Sequence, residues 1–498
     1  LTAELIDLRP ALAVVISLAC AGAVFAAREN ARWRAIWSLS AAGVKFALVW
    51  SMLPGALGGA VYSFRVGEVL PGVAFGFRVD ALGLFFALVS STLWVLTTVY
   101  ALAYMRKSHS LSRFFGYFAL CISTTVGIAF AENLFTLFVF YELLTVCTYP
   151  LIMHNEDLAA RRAGRKYLVY TLSGGGLILA GMAMVYASSG TLSLAQAGIL
   201  DASAGGATLL VIFVLLIAGF GVKAALMPLH AWLPAAMVAP TPVSALLHAV
   251  AVVKAGVFGI IRVIYDVFGA DLLRQLGYTD WLAVLAGAVI IIASVKALRQ
   301  RHIKARLAWS TISQLSYIVL AASLLAPLGT LAAIIHIANQ AFSKITMFFV
   351  AGVIERGTGK TRVDELAGVG RQMPWTMAAF TLASLSFIGV PLTAGFVTKW
   401  YLSLGALQGG REVFVGVMVV SGLLNAAYWL PMVYQAFFRP MPADRKAPAG
   451  VSPMMVGPVL ICAAYIILLG AGASAPAMPF SLAEAAARFA IELKASVE

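Results

Sequence analysis

Long apolar runs alternate with short polar ones along the whole chain. A helix rises 1.5 Å per residue, so about 20 apolar residues cross the hydrocarbon of a bilayer. Fourteen runs meet that length, at 10–27, 35–55, 79–103, 114–131, 134–153, 167–187, 208–227, 241–265, 281–298, 306–325, 328–353, 374–406, 412–437 and 453–474. The pattern predicts an all-α polytopic membrane protein. The seventh run leads into a segment carrying Pro228, Pro234, Pro240 and Pro242, and the twelfth contains Gly389 and Pro391. Proline removes a backbone donor, and helices interrupted at membrane depth line polar cavities, so both are expected to be broken. Between the second and third runs, residues 61–78 alternate around Pro71-Gly72 and predict a short β-hairpin outside the membrane. Asp80 is expected to cap the third helix. The tail SLAEAAARFAIELKASVE is amphipathic and is expected to lie on a surface or a neighbour, not to span.

Composition agrees with this reading and charge orients it. The 498 residues are 61% hydrophobic and 11% charged, where a soluble domain carries about 25% charged residues. The net charge of +14 fits positive loops on the cytoplasmic side better than nucleic-acid binding, because no basic cluster accompanies a soluble fold. Loops after odd-numbered spans hold twenty-one Lys and Arg, against Arg65, Arg78, Arg262, Arg274 and Arg411 after even-numbered ones. The asymmetry predicts a multi-pass protein of a bacterial-type inner membrane with both termini on the outer face. Cys20, Cys121, Cys147 and Cys462 lie singly in apolar runs and read as small core residues. The start of the chain predicts no cleaved signal segment.

Six lysines fall outside the loops and termini: Lys45, Lys223, Lys254, Lys296, Lys344 and Lys399. A charge within a span costs roughly 3 kcal/mol on insertion scales, and such groups mark ion paths. Lys296 lies near a helix end and is expected to snorkel into the adjoining basic loop. Lys45 has neither partner nor motif, so local pairing and function stay open. Glu142 is the carboxylate deep in an apolar span, and opposite a lysine it stays ionised; the alternative is a fixed ion pair holding two helices. Glu132, at the entrance of the same helix, is expected to cap it. His248 and Lys254 are six positions apart and share a face only if the helix unwinds locally from Pro240 and Pro242. His336, Gln340 and Lys344 form a polar stripe at intervals of four on the eleventh span. A second titratable group two turns away favours a relay over packing, and desolvation suits lysine to exchanging its proton. His230, in PLHAWLP, is a gate or a local cap. Thr241, Ser244, Ser310, Thr311, Ser313, Gln314 and Ser316 supply places for waters between these groups.

Two nucleotide-like motifs fail on context. GTGKT, from Gly357, has Ile354 where a phosphate loop needs its first glycine, and no strand precedes it. GFGVKA, from Gly219, lies inside an apolar helix. No Cys, His or carboxylate spacing suits a metal, and no cofactor or catalytic centre is expected. GFGVKAALMP and GVPLTAGFVTKW each set glycine, proline and one lysine in a span, a loose echo pointing to repeats around a midplane path.

ENLFTLFVFYELL, KAALMPLHAWLPAAMVAPTPVSALLHAVAVVKAG, HIANQAFSK and GVPLTAGFVTKW resemble the antiporter-like proton-translocating subunits. That family includes complex I antiporter-like subunits, the A-type and D-type subunits of Mrp cation/proton antiporters, and membrane-bound hydrogenase subunits. The likeness runs from about residue 78 to 437. Length resembles the Mrp D-type subunit, whereas PTPVSALLHA is closer to the A-type or distal complex I style.

The resemblance implies fourteen helices, with inverted five-helix repeats covering helices 4–8 and 9–13. That divides the chain into residues 1–113, 114–265, 266–437 and 438–498. It also implies that Glu142 pairs with Lys223 on the broken seventh helix, and that Lys254 with His248 is the eighth-helix relay. His336 and Lys344 then continue the path to Lys399 on the broken twelfth helix, where some relatives have glutamate. The expected function is proton translocation, with sodium/proton exchange as a variant, inside a complex of antiporter-like and small helical subunits. The alternatives are a self-sufficient sodium/proton exchanger, the membrane coupling subunit of a redox-driven complex, and a transport-silent structural subunit.

Overall fold

The computed structural model describes residues 4–28, 30–441, 449–473 and 479–492. Twelve of its helices are long and apolar enough to cross a membrane. They are α1 (Arg9–Ala26), α2 (Ala31–Trp50), α3 (Ala81–Tyr104), α4 (Leu111–Ala129), α5 (Leu134–Ile152), α6 (Leu158–Ser189), α7 (Gly206–Lys223), α8 (Thr241–Phe268), α9 (Tyr278–Leu298), α11 (Pro327–Thr358), α13 (Val413–Phe438) and α14 (Pro453–Ala471). The more polar α10 (Ile303–Ser323) and the two-part α12 (Pro374–Ile388 and Ala394–Gln408) bring the set to the fourteen expected from the sequence. Arg445, Lys446 and Lys494, counted among the chain's cations, lie outside the described residues.

Local chemistry places the helix starts. Asp80 accepts from the Gly83 amide at 2.7 Å and caps α3 as expected. Asn133 caps α5 through the Thr136 amide at 2.9 Å. Glu132, expected in that role, instead accepts from Arg65 Nε at 2.6 Å. Asp157 caps α6 through Ala160 at 2.6 Å, so α6 begins well before the apolar run. Arg161, Arg162, Arg165 and Lys166, expected in a loop, therefore lie on the first turns of a 32-residue helix. A helix of that length spans about 48 Å, more than a bilayer's hydrocarbon, and its basic start projects beyond it.

The hairpin forms from Val61–Leu70 and Val73–Val79, with Gly72 at φ 72° in the turn. A short strand, Glu4–Ile6, adds parallel to Val61–Ser63; its three residues are too few to show a pattern. The amphipathic tail folds back as α15 (Pro479–Glu492) against α3 and α11 of the same chain, with Leu482 and Ala483 buried.

Burial separates the spans into shells. The apolar windows of α8 and α11 are 100% buried, whereas those of α1, α2 and α6 are 39% buried and α13 and α14 33%. The outer helices present Val211, Val214, Leu423 and Leu430 outward, as apolar solvent requires. The innermost pair carries His248, Lys254, His336 and Lys344. Polar groups placed there meet protein on every side.

Candidate functional site

Helix α7 ends at Lys223, and residues 224–231 break it before the short helix Trp232–Ala235. Ala225 takes the left-handed conformation in the break, at φ 53°. The carbonyls freed by the break need donors, and the Trp232 indole supplies one to Val222 O at 2.7 Å. Lys223 is 0% exposed. Its ammonium donates to the Tyr141 carbonyl and lies 3.4 Å from the centre of the Tyr141 ring. Glu142, the next residue, is half-buried beside Gly175 of α6, and its Oε1 has no hydrogen-bond partner among the described residues. Lys223 is thus bonded to the residue that precedes Glu142. Among the described residues, however, no ion pair within 4.0 Å joins Lys223 to Glu142: the structure holds the pair apart.

Helix α8 approaches the break closely. A Cβ on Gly256 would lie 2.2 Å from the Ala224 amide nitrogen, so only glycine lets the two backbones meet. Pro242 is tolerated in the first turn of α8, where its missing donor costs nothing. The local unwinding expected between His248 and Lys254 comes later than the prolines suggest. It is a π-helical turn, Leu246–Val250, ended by Ala251 at φ −115°, ψ −83°. Both His248 ring nitrogens and Lys254 Nζ are buried without a hydrogen-bond partner among the described residues. Gln340 Nε2 points at the His248 carbonyl, 3.4 Å away, and ties the stripe on α11 to the turn on α8.

The second half of the site is a continuous polar track. Lys344 donates to Ser310 Oγ at 2.9 Å, and Tyr428 reaches the same hydroxyl at 3.2 Å. Tyr428 also donates to Asn425, whose amide bonds the Ser421 carbonyl at 2.6 Å. Tyr317 donates to Ser421 Oγ at 2.8 Å, and its ring stacks on His336 with centroids 5.4 Å apart. His336 Nδ1 lies 3.2 Å from Thr398 Oγ1 on the second half of α12. Lys399, the next residue, donates to the Phe387 and Ile388 carbonyls at 2.9 and 2.7 Å, satisfying the end of the first half. Ser310 stands in the sequence as one of a pool of hydroxyls, and Tyr317, Ser421, Asn425 and Tyr428 are not among the expected site residues. Ser421, Asn425 and Tyr428, spaced four and three apart on α13, are the signal that could have found them.

The remaining positions sort clearly. The half-buried His230 ring packs against Trp309 at 5.2 Å, beside the break, and the exposed Lys296 lies over the same indole system at 4.8 Å. Lys45 is 0% exposed, donates at 3.4 Å to the Ile122 carbonyl and faces the Trp94 ring at 5.1 Å. It packs within the α1–α4 group, away from the α8–α11 centre.

A second group of buried charges has no counterpart among the sequence expectations. Arg262, expected in a loop, is 2% exposed inside α8. It donates to both carboxylate oxygens of Asp80, at 2.6 and 2.8 Å, and to Asp266 at 2.8 Å. Glu142 is therefore not the lone carboxylate within a span, and Asp266, at 3% exposure, is the more buried. Toward the opposite end of α11, Glu355 accepts from Tyr104 at 3.0 Å and Thr241 at 2.9 Å, and lies 3.8 Å from Lys304. Charges at helix ends look like loop charges in sequence; only packing tells them apart.

Comparison with known proteins matches this architecture. Residues 131–436 fit the family described as NADH:quinone oxidoreductase/Mrp antiporter, TM, and residues 71–115 fit the complex I chain 5 N-terminus. The chain is 34% identical over 393 residues to NADH-quinone oxidoreductase subunit N of Desulforudis audaxviator, covering 75% of this chain and 77% of that one. It is 31% identical over 427 residues to hydrogenase-4 component B of Escherichia coli, and 30% over 433 residues to the A-type Na(+)/H(+) antiporter subunit of Alkalihalophilus pseudofirmus. Each match covers 80% of this chain, but the chain spans only 62% and 52% of those two relatives. In three dimensions it superposes on a chain of the Mrp complex from Dietzia sp. with a TM-score of 0.87 at 23% identity, covering 98% of this chain and 99% of that one. The match to a chain of an archaeal membrane-bound sulfane sulfur reductase has a TM-score of 0.88 at 25% identity, covering 99% of both. With its matched helices, broken spans and central buried charges, the chain belongs to the complex I/Mrp antiporter-like proton-translocating subunit family, which also includes the hydrogenase-4 relatives.

Proposed function

We propose that this chain moves protons across the membrane through Glu142, Lys223, His248, Lys254, His336, Lys344 and Lys399, as one subunit of a larger membrane complex. The observation that carries the reading is Lys223: a fully buried ammonium at a helix break, held by a carbonyl and a ring, beside a carboxylate it does not touch. An ammonium in low dielectric is costly without a counter-charge, so the approach or retreat of Glu142 controls whether Lys223 keeps its proton. When the pair separates, the proton passes toward Lys254 and His248. From there His336 and Lys344 carry it toward Lys399, while Ser310, Tyr428, Asn425, Ser421 and Tyr317 hold these groups and the water between them in place. Lys399 sits at the end of a half-helix whose dipole favours a cation, and a neighbouring subunit senses its charge. His230, at the break, serves as a gate on the same path.

The distribution of arginine and lysine supports an orientation with the hairpin and both termini on the outer face. The two broken spans support an inverted-repeat arrangement of α4–α8 against α9–α13. The names of the relatives support a sodium/proton-linked cargo on one side and a redox-coupled complex on the other; the chains that co-purify with this one decide between those settings.

The test is proton flux in vesicles containing the assembled complex. Glu142→Gln and Lys223→Met are expected to lose at least tenfold of the flux with the complex intact. Wild-type flux in either variant defeats the relay, and loss of assembly in both favours a structural role for the pair.

A further inference from the structure

The Arg262 cluster lies beside a cavity of about 130 Å³, at the hairpin end of α8 and α11. We propose that this cavity is the proton outlet of the chain, with Asp266 as its outermost carrier group. The inference rests on the translocation reading above, and names the exit that reading leaves unassigned.

Position is the first argument. Arg262 and Lys254 share the regular helical stretch Val252–Arg262, eight residues apart, so about 12 Å separate them along the axis. Thr330, also at the cavity, precedes His336 by six residues on α11, about 9 Å. The cavity is thus stacked over the two central stations, on the hairpin side. Lys399 lies at another break, between the halves of α12. A cavity of about 130 Å³ is well above the size that admits water.

Hydrogen bonding is the second argument. Asp80 accepts three hydrogen bonds: Oδ1 takes the Gly83 amide and one Arg262 nitrogen, and Oδ2 takes the other. Asp266 is held to Arg262 through Oδ2 alone. Asp80 therefore fixes the guanidinium, and Asp266, with one bond against three, has the greater spare capacity to accept a proton. Arg262 Nε and Arg78 Nη1 are both buried without a partner among the described residues, and both side chains line the cavity. Donors in that position order water. A buried ion network kept only to join α3 to α8 needs neither a cavity nor unpaired donors, and apolar residues perform such joining equally well.

A proton arriving through water binds the Asp266 carboxylate and weakens its contact with Arg262. It then leaves to water on the hairpin side, and the ionised carboxylate pairs with Arg262 again. Ala486 of α15 closes one wall, so the amphipathic helix seals the outlet from the side.

The experiment uses the assembled complex in sealed vesicles, with Ala60→Cys and Ala486→Cys made separately in a background lacking the native cysteines. A membrane-impermeant thiosulfonate is added from either side. Labelling from the hairpin side only, with flux falling at least tenfold, is the expected result. Asp266→Asn leaves the Asp80–Arg262 pair in place and is expected to cut flux at least tenfold without loss of assembly, with partial recovery in Asp266→Glu. Stoichiometric labelling with unchanged flux, failure of both cysteines to label, or wild-type flux in Asp266→Asn overturns the proposal. Glu142→Gln is measured alongside. If it is inactive while Asp266→Asn transports normally, the outlet alone fails; if Glu142→Gln transports normally, the relay itself is wrong.

Discussion

Gly256 sets the distance between α8 and the break after α7, which the proposed relay has to cross, and adding one methyl group there tests whether the relay depends on it. A Cβ on Gly256 would sit 2.2 Å from the Ala224 nitrogen and 2.7 Å from the Lys223 carbonyl carbon, where ordinary contacts begin at 3.4 Å. Both atoms are backbone, so no rotamer relieves the clash, and α8 must retreat from the α7 break by about 1.2 Å, the difference between the ordinary contact and 2.2 Å. Overpacking of this kind costs about 1–3 kcal/mol. The displacement moves Lys254 and His248 relative to Lys223, and misplacing reacting groups by about 1 Å costs roughly tenfold or more in rate. Gly176→Ala on the outward side of α6 is the control, because nothing lies within 4 Å of its added Cβ. Thermal unfolding in detergent and proton flux in proteoliposomes should show Gly256→Ala destabilised and slowed, with Gly176→Ala neutral. If Gly256→Ala keeps both wild-type stability and wild-type flux, the close approach does not position the relay.

Three further outcomes follow from particular contacts. Gly175→Ala places a Cβ 2.4 Å from Glu142 Oε1, the mobile end of a side chain; flux should fall while the unfolding temperature shifts little, and an unchanged flux argues against a role for Glu142's position. Arg262→Met leaves two buried carboxylates facing each other and should cost on the order of 3–5 kcal/mol, with much of the loss recovered when Asp80→Asn and Asp266→Asn are added, as read by thermal unfolding. His154, just beyond α5, is buried beside His109 and Arg113, and burial first, then those neighbours, pushes its pKa down to about 4. The unfolded state therefore binds this proton more readily, so stability from this group is complete above the ordinary histidine pKa of about 6.5 and is lost as pH falls toward 4. Unfolding midpoints measured from pH 7 to pH 4 should decline less steeply in His154→Gln, and parallel curves for the two proteins refute the assignment.

The spans are legible in the amino-acid pattern alone, because a bilayer requires each crossing to satisfy its backbone internally and to present apolar side chains over a fixed length. Observed ends stay within a few residues of the apolar runs, except where capping by Asp157 starts α6 early. The hairpin, the broken seventh and twelfth helices and the buried lysines were legible for the same reason: proline, glycine and isolated charge stand out against a uniform background. Partnership between residues comes from the packing of the helices. Arg262 and Asp80 are 182 positions apart and meet because α3 packs on α8. Glu132 turned to Arg65 of the hairpin instead of capping its helix, since Asn133 already fills that position. The track from Lys344 to Tyr317 joins α11, α10 and α13 through short polar side chains that looked interchangeable in sequence. One-dimensional pattern records what each residue costs in a membrane; which group relieves that cost depends on the helices that fold against it.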